Sequence, residues 1–205
     1  MKEYLENLLE EHRDKFAILK EEANKVAVAE KWGYGVIPPF LLLPFYSEIL
    51  GNKPGRFLKK KSLPGKNKYC YLLNTENRIV NSIEYAEFSE FNNQWIVYNK
   101  FYHYLPSSII EYSFNSALEN DQHPDLVSVT LVQLNEGKVI KGHKLRCDNV
   151  YEVLEYHYES DRINFIEQKV WWTDTYFERN YKVTYNGNVL IEEILNDGKT
   201  VKIYP

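Results

Sequence analysis

Apolar positions in the first thirty residues recur with the period of an α-helix. The steps between them alternate between four and three residues, through Leu5, Leu9, His12, Phe16, Leu19, Ala23, Val26 and Glu30. This spacing puts them on one stripe of a helix, and Gly33 and Gly35 are suited to end it. We therefore predict a long N-terminal α-helix over residues 1–30, about 42 Å in length at 1.5 Å per residue. Its stripe is expected to cover the sheet of the same chain, with a coiled coil between two copies as the alternative.

Residues 31–68 have no such period and are predicted to form a connector that is first proline-rich and then basic. Pro38, Pro39 and Pro44 exclude a regular helix, because each fixes φ and lacks an N–H group. The apolar stretch from Val36 to Ser47 is expected to be an extended arm that is buried on the body or on a partner. It is too short to span a bilayer as a helix.

From Tyr69 onward the apolar pattern changes to a period of two, which is typical of β-strands. Turn sequences separate the runs: 134–138 and 195–199 are predicted to be three-residue hairpin loops with a glycine in the left-handed conformation, and 185–188 contains Asn-Gly, the strongest signal of a two-residue hairpin. Because little suggests crossover helices, the strands should pair antiparallel in chain order. The predicted fold is mainly β (α+β): a long N-terminal helix packed on a curved antiparallel meander of about ten strands at 69–205.

Charge is unevenly distributed along this chain of 205 residues, whose formal net charge is −4. Residues 51–68 contain seven bases and no acid, which gives +7, and residues 69–205 contain twenty acids and twelve bases, which gives −8. An acidic β domain attracts a basic partner and repels nucleic acid. The basic segment could contact phosphates, but a solvated loop or an intramolecular complement to the acidic body is favoured over that role.

Few residues are arranged for catalysis or metal binding. The sequence has no nucleophile motif, no phosphate-binding glycine loop and no Cys-x-x-Cys pair, so we expect neither a cofactor nor a metal. Two cysteines and no secretory signal favour a cytoplasmic protein with reduced thiols. A hydrolase with a non-local site at His103 or His157 remains an alternative, since histidines on neighbouring strands can meet across a sheet.

Several of the hairpins resemble one another in sequence. Tyr156-His157-Tyr158 leads through a turn to Asp161-Arg162-Ile163, and Val183-Thr184-Tyr185 leads to Gly187-Asn188-Val189. This pattern resembles the Tyr-Asp (RHS/YD) β-hairpin repeats of bacteria, which include hairpin-repeat immunity proteins. The resemblance covers roughly residues 69–204, and it implies an extended sheet that presents a binding surface and lacks a catalytic centre.

The residues predicted to bind a partner lie on two strands of this domain: Glu155, His157, Glu159, Trp171 and Trp172. Adjacent tryptophans on a strand point to opposite faces, so one of them can serve as an exposed anchor. The favoured function is a non-enzymatic module that binds a basic protein, as an immunity protein binds a toxin domain, with no nucleic acid and no membrane involved. A small-molecule or lipid-binding protein, with the sheet curled around an apolar cavity, is the second alternative.

Overall fold

The computed structural model describes residues 1–205 as two helices and one fourteen-stranded antiparallel sheet. The helices are α1 (Lys2–His12) and α2 (Phe16–Val26), and a single 3₁₀ turn covers Glu48–Leu50. The strands are β1 (Ala29–Tyr34), β2 (Arg56–Phe57), β3 (Lys68–Leu73), β4 (Ile79–Ser89), β5 (Gln94–Leu105), β6 (Ser108–Phe114), β7 (Ala117–Leu118), β8 (Leu126–Asn135), β9 (Lys138–Arg146), β10 (Tyr151–Glu159), β11 (Arg162–Trp172), β12 (Thr175–Asn186), β13 (Asn188–Ile194) and β14 (Thr200–Tyr204).

The sheet is a meander, because its spatial order follows the chain from β3 to β14 with only β7 outside the path. β1 and β2 extend the other end, and β7 pairs separately with β5. The predicted mainly β, antiparallel meander is therefore confirmed. The predicted strand count of about ten was too low, because short strands such as β2 and β7 and the early strand β1 carry little periodic signal.

The prediction of one long N-terminal helix was wrong. The chain forms two helices of 11 residues each, separated at Arg13–Lys15, and then enters β1. The polar break lets α2 begin at Phe16, whose ring packs edge-on against Phe101 and Phe114. Ala29 and Glu30, predicted as the end of the helix, and residues 31–34, predicted as the start of the connector, form β1 because β3 offers them a full antiparallel ladder. Trp32 is buried there at 5% exposure.

The two faces of the sheet are covered by different parts of the chain. The helices cover one face, where the core contains Leu5, Phe16, Leu19, Phe101, Tyr112, Val129 and Leu145. The proline-rich arm covers the opposite face, where the core contains Leu42, Leu43, Ile49, Tyr102, Leu154, Ile166 and Tyr181. We call these the helix face and the arm face. None of the helices combines the length and the apolar character needed to cross a membrane.

The basic segment lies along the β1–β2 edge of the sheet. Most of its charged side chains are exposed, and Lys61 is the one that pairs with an acid, at 2.8 Å from Glu30. The segment therefore does not lie over the acidic residues of the distant strands β10 to β13.

Candidate functional site

The β11–β12 hairpin exposes four large aromatic side chains within seven residues. Trp171 is 36% exposed, Trp172 56%, Tyr176 50% and Phe177 37%. Such side chains are usually buried, and clustered exposed aromatics are typical of protein-binding surfaces. We call these four residues the aromatic hairpin.

Strand register distributes the aromatic hairpin over both faces. Trp171 is directly opposite Tyr176, and their ring centroids are 5.2 Å apart. Trp171 also packs on Tyr151, at 5.3 Å, on the helix face. Trp172 and Phe177 lie on the arm face. The expected division of the two tryptophans between faces is therefore present, but both remain partly exposed because neither the helices nor the arm reaches the hairpin tip.

Glu155 and His157 lie on the helix face of β10, beyond the part that the helices cover. Lys141 forms an ion pair with Glu155 and is the main cause of a lowered pKa for that carboxyl group. His157 Nε2 lies 2.7 Å from Glu167 Oε1. Glu159 is exposed at the end of the strand. Cross-strand lysines thus balance the acids next to the predicted site, so this surface is locally mixed in charge.

A second polar cluster, which sequence reasoning missed, is buried on the arm face. Glu152 is 6% exposed and Gln168 is 5% exposed, and they form a hydrogen bond across β10 and β11. Tyr46 donates a hydrogen bond to Glu152 Oε2 at 2.8 Å, and Tyr181 donates one to Gln168 Oε1 at 2.7 Å. Burial and the neighbouring Glu152 raise the pKa of the Tyr46 hydroxyl far above its usual range.

Glu111 and two lysines continue this cluster along the sheet. Glu111 is 5% exposed, accepts a hydrogen bond from Ser113 at 3.0 Å and lies 3.6 Å from Lys100. Lys144 is half-buried, and its ammonium lies 4.9 Å from the ring centroid of Tyr46. Burial lowers the pKa of Lys144. Buried polar groups cost free energy, so a cluster of this kind is a candidate functional site. The sequence signal that could have indicated this cluster is a charged residue within an otherwise apolar strand, as in Ile110-Glu111-Tyr112.

The histidines do not come together as a catalytic or metal centre. His103 lies on β5 and His157 on β10, with three strands between them, so they do not meet across neighbouring strands. His103 Nε2 lies 4.0 Å from Glu22 on α2, at the rim of an apolar cavity of about 190 Å³. No group of three or more His, Cys, Asp or Glu side chains is arranged to hold a metal ion.

Comparison with known proteins adds no assignment, because no family model, curated protein or solved structure matches this chain.

Proposed function

We propose that this chain is a non-enzymatic protein-binding module and that the aromatic hairpin is the centre of its binding surface. The observation that supports this most directly is the exposure of Trp171, Trp172, Tyr176 and Phe177 at one hairpin tip. Interface residues that contribute most binding energy are enriched in Trp and Tyr, which bury a large area at a small entropic cost.

The proposed partner is a basic protein. Residues 69–205 carry a net charge of −8, and this long-range charge attracts a basic surface even though several acids are paired locally. Glu155, His157 and Glu159 would then lie at the polar rim around the aromatic anchors, where charge affects the association rate more than the final affinity.

The more specific role that we propose is that of an immunity protein, which occupies a toxin domain and blocks it. The support for this role is the resemblance of the hairpins to bacterial Tyr-Asp repeats, together with the net charge of the sheet domain. The product of the adjacent gene is the first partner to test, since toxin and immunity proteins are made together.

Alanine substitution of the two tryptophans tests the binding surface. We expect Trp171→Ala/Trp172→Ala to weaken binding of that partner by about 2 kcal/mol or more, roughly thirtyfold, in isothermal titration calorimetry. Phe91→Ala is a matched control, because Phe91 is 97% exposed in a different turn. If both variants bind like the wild type, the aromatic hairpin is not the binding surface.

Charge reversal tests the electrostatic part of the proposal. We expect Glu155→Lys/Glu159→Lys to reduce the association rate and its dependence on salt, with a smaller effect on the dissociation rate. The measurement is stopped-flow association between about 50 and 500 mM NaCl. The exposed Glu90→Lys on the distant β4–β5 turn is the control. An unchanged rate for the double variant would contradict a role for this rim.

A further inference from the structure

The β1–β2 end of the sheet carries a basic surface that the proposed partner-binding site does not use. Residues 59–66 connect β2 to β3 and contain no acid, and we call them the basic loop. Four exposed side chains give this loop its charge: Lys59, Lys60, Lys61 and Lys66. Lys61 pairs with Glu30, and the other three lysines form no ion pair. The positive charge of the loop therefore faces solvent.

A leucine side chain is displayed in the middle of the basic loop. Leu63 is 77% exposed, although leucine is among the residue types that are most often buried. Its backbone is held in place, because the Lys68 ammonium donates hydrogen bonds to Ser62 Oγ at 2.8 Å and to the Leu63 carbonyl at 3.0 Å. The loop thus presents Leu63 to solvent between lysines that precede and follow it.

Both ends of the basic loop are fixed to the sheet. The Leu58 N–H group donates a hydrogen bond to the Trp32 carbonyl at 2.8 Å. At the other end, the Asn67 N–H group donates one to the Tyr85 carbonyl at 3.0 Å, and the Asn67 carbonyl accepts one from Gly35 N–H at 3.0 Å. A loop anchored in this way needs little further ordering when it binds a partner.

Two more apolar side chains are exposed on the segment that is bonded to the end of this loop. Tyr34 is 46% exposed and Val36 is 78% exposed, on either side of Gly35. This end of the sheet therefore combines unpaired lysines with exposed aliphatic and aromatic groups.

An anionic lipid surface fits this combination better than a nucleic acid does. Clustered lysines are attracted to anionic headgroups, and an apolar side chain beside them can enter the interface between headgroups and acyl chains. The phosphates of a nucleic acid offer no such place to Leu63. The basic loop also contains no arginine, which is the residue that makes bidentate contacts with phosphates and guanine.

The acidic strands at the far end of the sheet do not oppose this docking. Seven strands separate β1 from β11, and at about 4.8 Å per strand the two lie roughly 40 Å apart. The Debye length at physiological ionic strength is about 8 Å, so repulsion between those acids and an anionic surface at the basic loop is screened.

We propose that the basic loop docks this protein onto membranes that contain anionic lipids. Lys59, Lys60 and Lys66 contact the headgroups, and Leu63 inserts between them. The proposal departs from the sequence-based expectation that no membrane is involved, because the exposure of Leu63 is visible only in the structure. The aromatic hairpin remains free at the other end of the sheet, so either proposal can fail without the other.

Co-sedimentation of the full chain with large unilamellar vesicles tests the proposal. We expect binding to phosphatidylcholine vesicles that contain about 30% phosphatidylserine, and little binding to phosphatidylcholine alone, in about 100 mM NaCl. Lys59→Gln/Lys60→Gln should bind about twentyfold more weakly, at about fivefold per lysine. The matched control is Lys199→Gln/Lys202→Gln, which changes the net charge equally at the opposite edge of the sheet and should bind like the wild type.

A second variant tests insertion of the leucine. We expect Leu63→Ser to weaken vesicle binding about tenfold, because the inserted apolar area is lost while every lysine remains. Leu195→Ser is its control, since Leu195 is 38% exposed in the β13–β14 turn. All four variants change exposed side chains, so they are expected to fold.

Four results would overturn the proposal. Equal binding to both kinds of vesicle would exclude recognition of anionic lipid, and equal losses in the two double-lysine variants would assign the effect to net charge. Unchanged binding of Leu63→Ser would exclude insertion. Binding to a single-stranded DNA in fluorescence anisotropy, lost in Lys59→Gln/Lys60→Gln and without vesicle binding by the wild type, would assign the loop to nucleic acid instead.

Discussion

Three tyrosines close three hairpins of the sheet with the same contact. The hydroxyl groups of Tyr104, Tyr158 and Tyr185 donate hydrogen bonds of 3.0, 2.8 and 3.0 Å to the backbone carbonyls of Ile79, Val139 and Ile163, respectively. In each case the residue before that carbonyl is a cation placed over the tyrosine ring, namely Arg78, Lys138 and Arg162. Each contact joins the end of one strand to the start of the strand before it. The resemblance to Tyr-Asp repeats itself stays a prediction.

Removing one of these hydroxyl groups measures how much its hydrogen bond contributes to the free energy of unfolding. We expect Tyr158→Phe to lower the free energy of unfolding by about 1 kcal/mol, because the Val139 carbonyl loses its side-chain donor while the ring and its cation contact remain. Urea unfolding followed by fluorescence gives the value. Tyr98→Phe is the control, because Tyr98 is 39% exposed and its hydroxyl has no partner. Equal stabilities of the two variants would show that the hydrogen bond is not stabilising.

At the scale of elements, strands with clear alternation and explicit turns were predictable, and elements decided by tertiary contacts were not. The period of two after Tyr69, together with glycines in the turns, predicted the meander. One of these glycines, Gly137, has a positive φ of 77° in the structure. The predicted three-residue loop there is a two-residue loop, since Asn135 pairs with Lys138 and both loop residues have positive φ. The apolar period alone continued the N-terminal helix through the break at Arg13–Lys15 and into Ala29 and Glu30, which instead begin β1 because pairing with β3 outweighs helix propensity.

Of the two candidate sites, the sequence indicated the aromatic hairpin but not the buried polar cluster. The placement of Trp171 and Trp172 on opposite faces was predictable because adjacent residues on a strand alternate, and their role in binding stays a prediction. The buried cluster around Glu111, Glu152 and Lys144 was missed because it requires knowing which face the arm covers. A period-two pattern does not distinguish a charged residue in solvent from one beneath an arm.

The arm depends on a glycine in the middle of β9. A Cβ atom at Gly142 would lie only 2.1 Å from Cδ2 of Leu43. We therefore expect Gly142→Ala to destabilise the protein by about 1–3 kcal/mol through overpacking, and to loosen the arm. Urea unfolding measures the stability, and limited proteolysis of residues 36–47 reports the position of the arm.

A double-mutant cycle separates this contact from a general effect of alanine in a strand. In the background of Leu43→Ala the added methyl group has room. Gly142→Ala should therefore lower the free energy of unfolding clearly less in that background than in the wild type. An equal loss of unfolding free energy in the two backgrounds would contradict the packing of the arm against Gly142.

At the scale of the whole molecule, three histidines packed at the helix face link folding to pH. His12 and His103 both pack against Tyr112, and burial is the main cause of a lowered pKa for each. His143 is 5% exposed and lies 2.9 Å from the Tyr151 hydroxyl. Burial, followed by the nearby Lys141, lowers the pKa of His143 to about 4, against the attraction of Glu155.

A lowered histidine pKa makes the folded state less stable in acid. Between about pH 6.5 and pH 4 the unfolded chain binds a proton at His143 that the folded chain does not, so stability falls as the pH is lowered through this range. For His143 alone the loss can reach about 3 kcal/mol. We expect His143→Gln to flatten the decline of the urea midpoint between pH 7 and pH 4.5, whereas His123→Gln, in an exposed loop, should follow the wild type. Parallel pH profiles for all three proteins would show that His143 is not the group that links folding to pH, and would assign the decline to His12 and His103 or to the carboxylates.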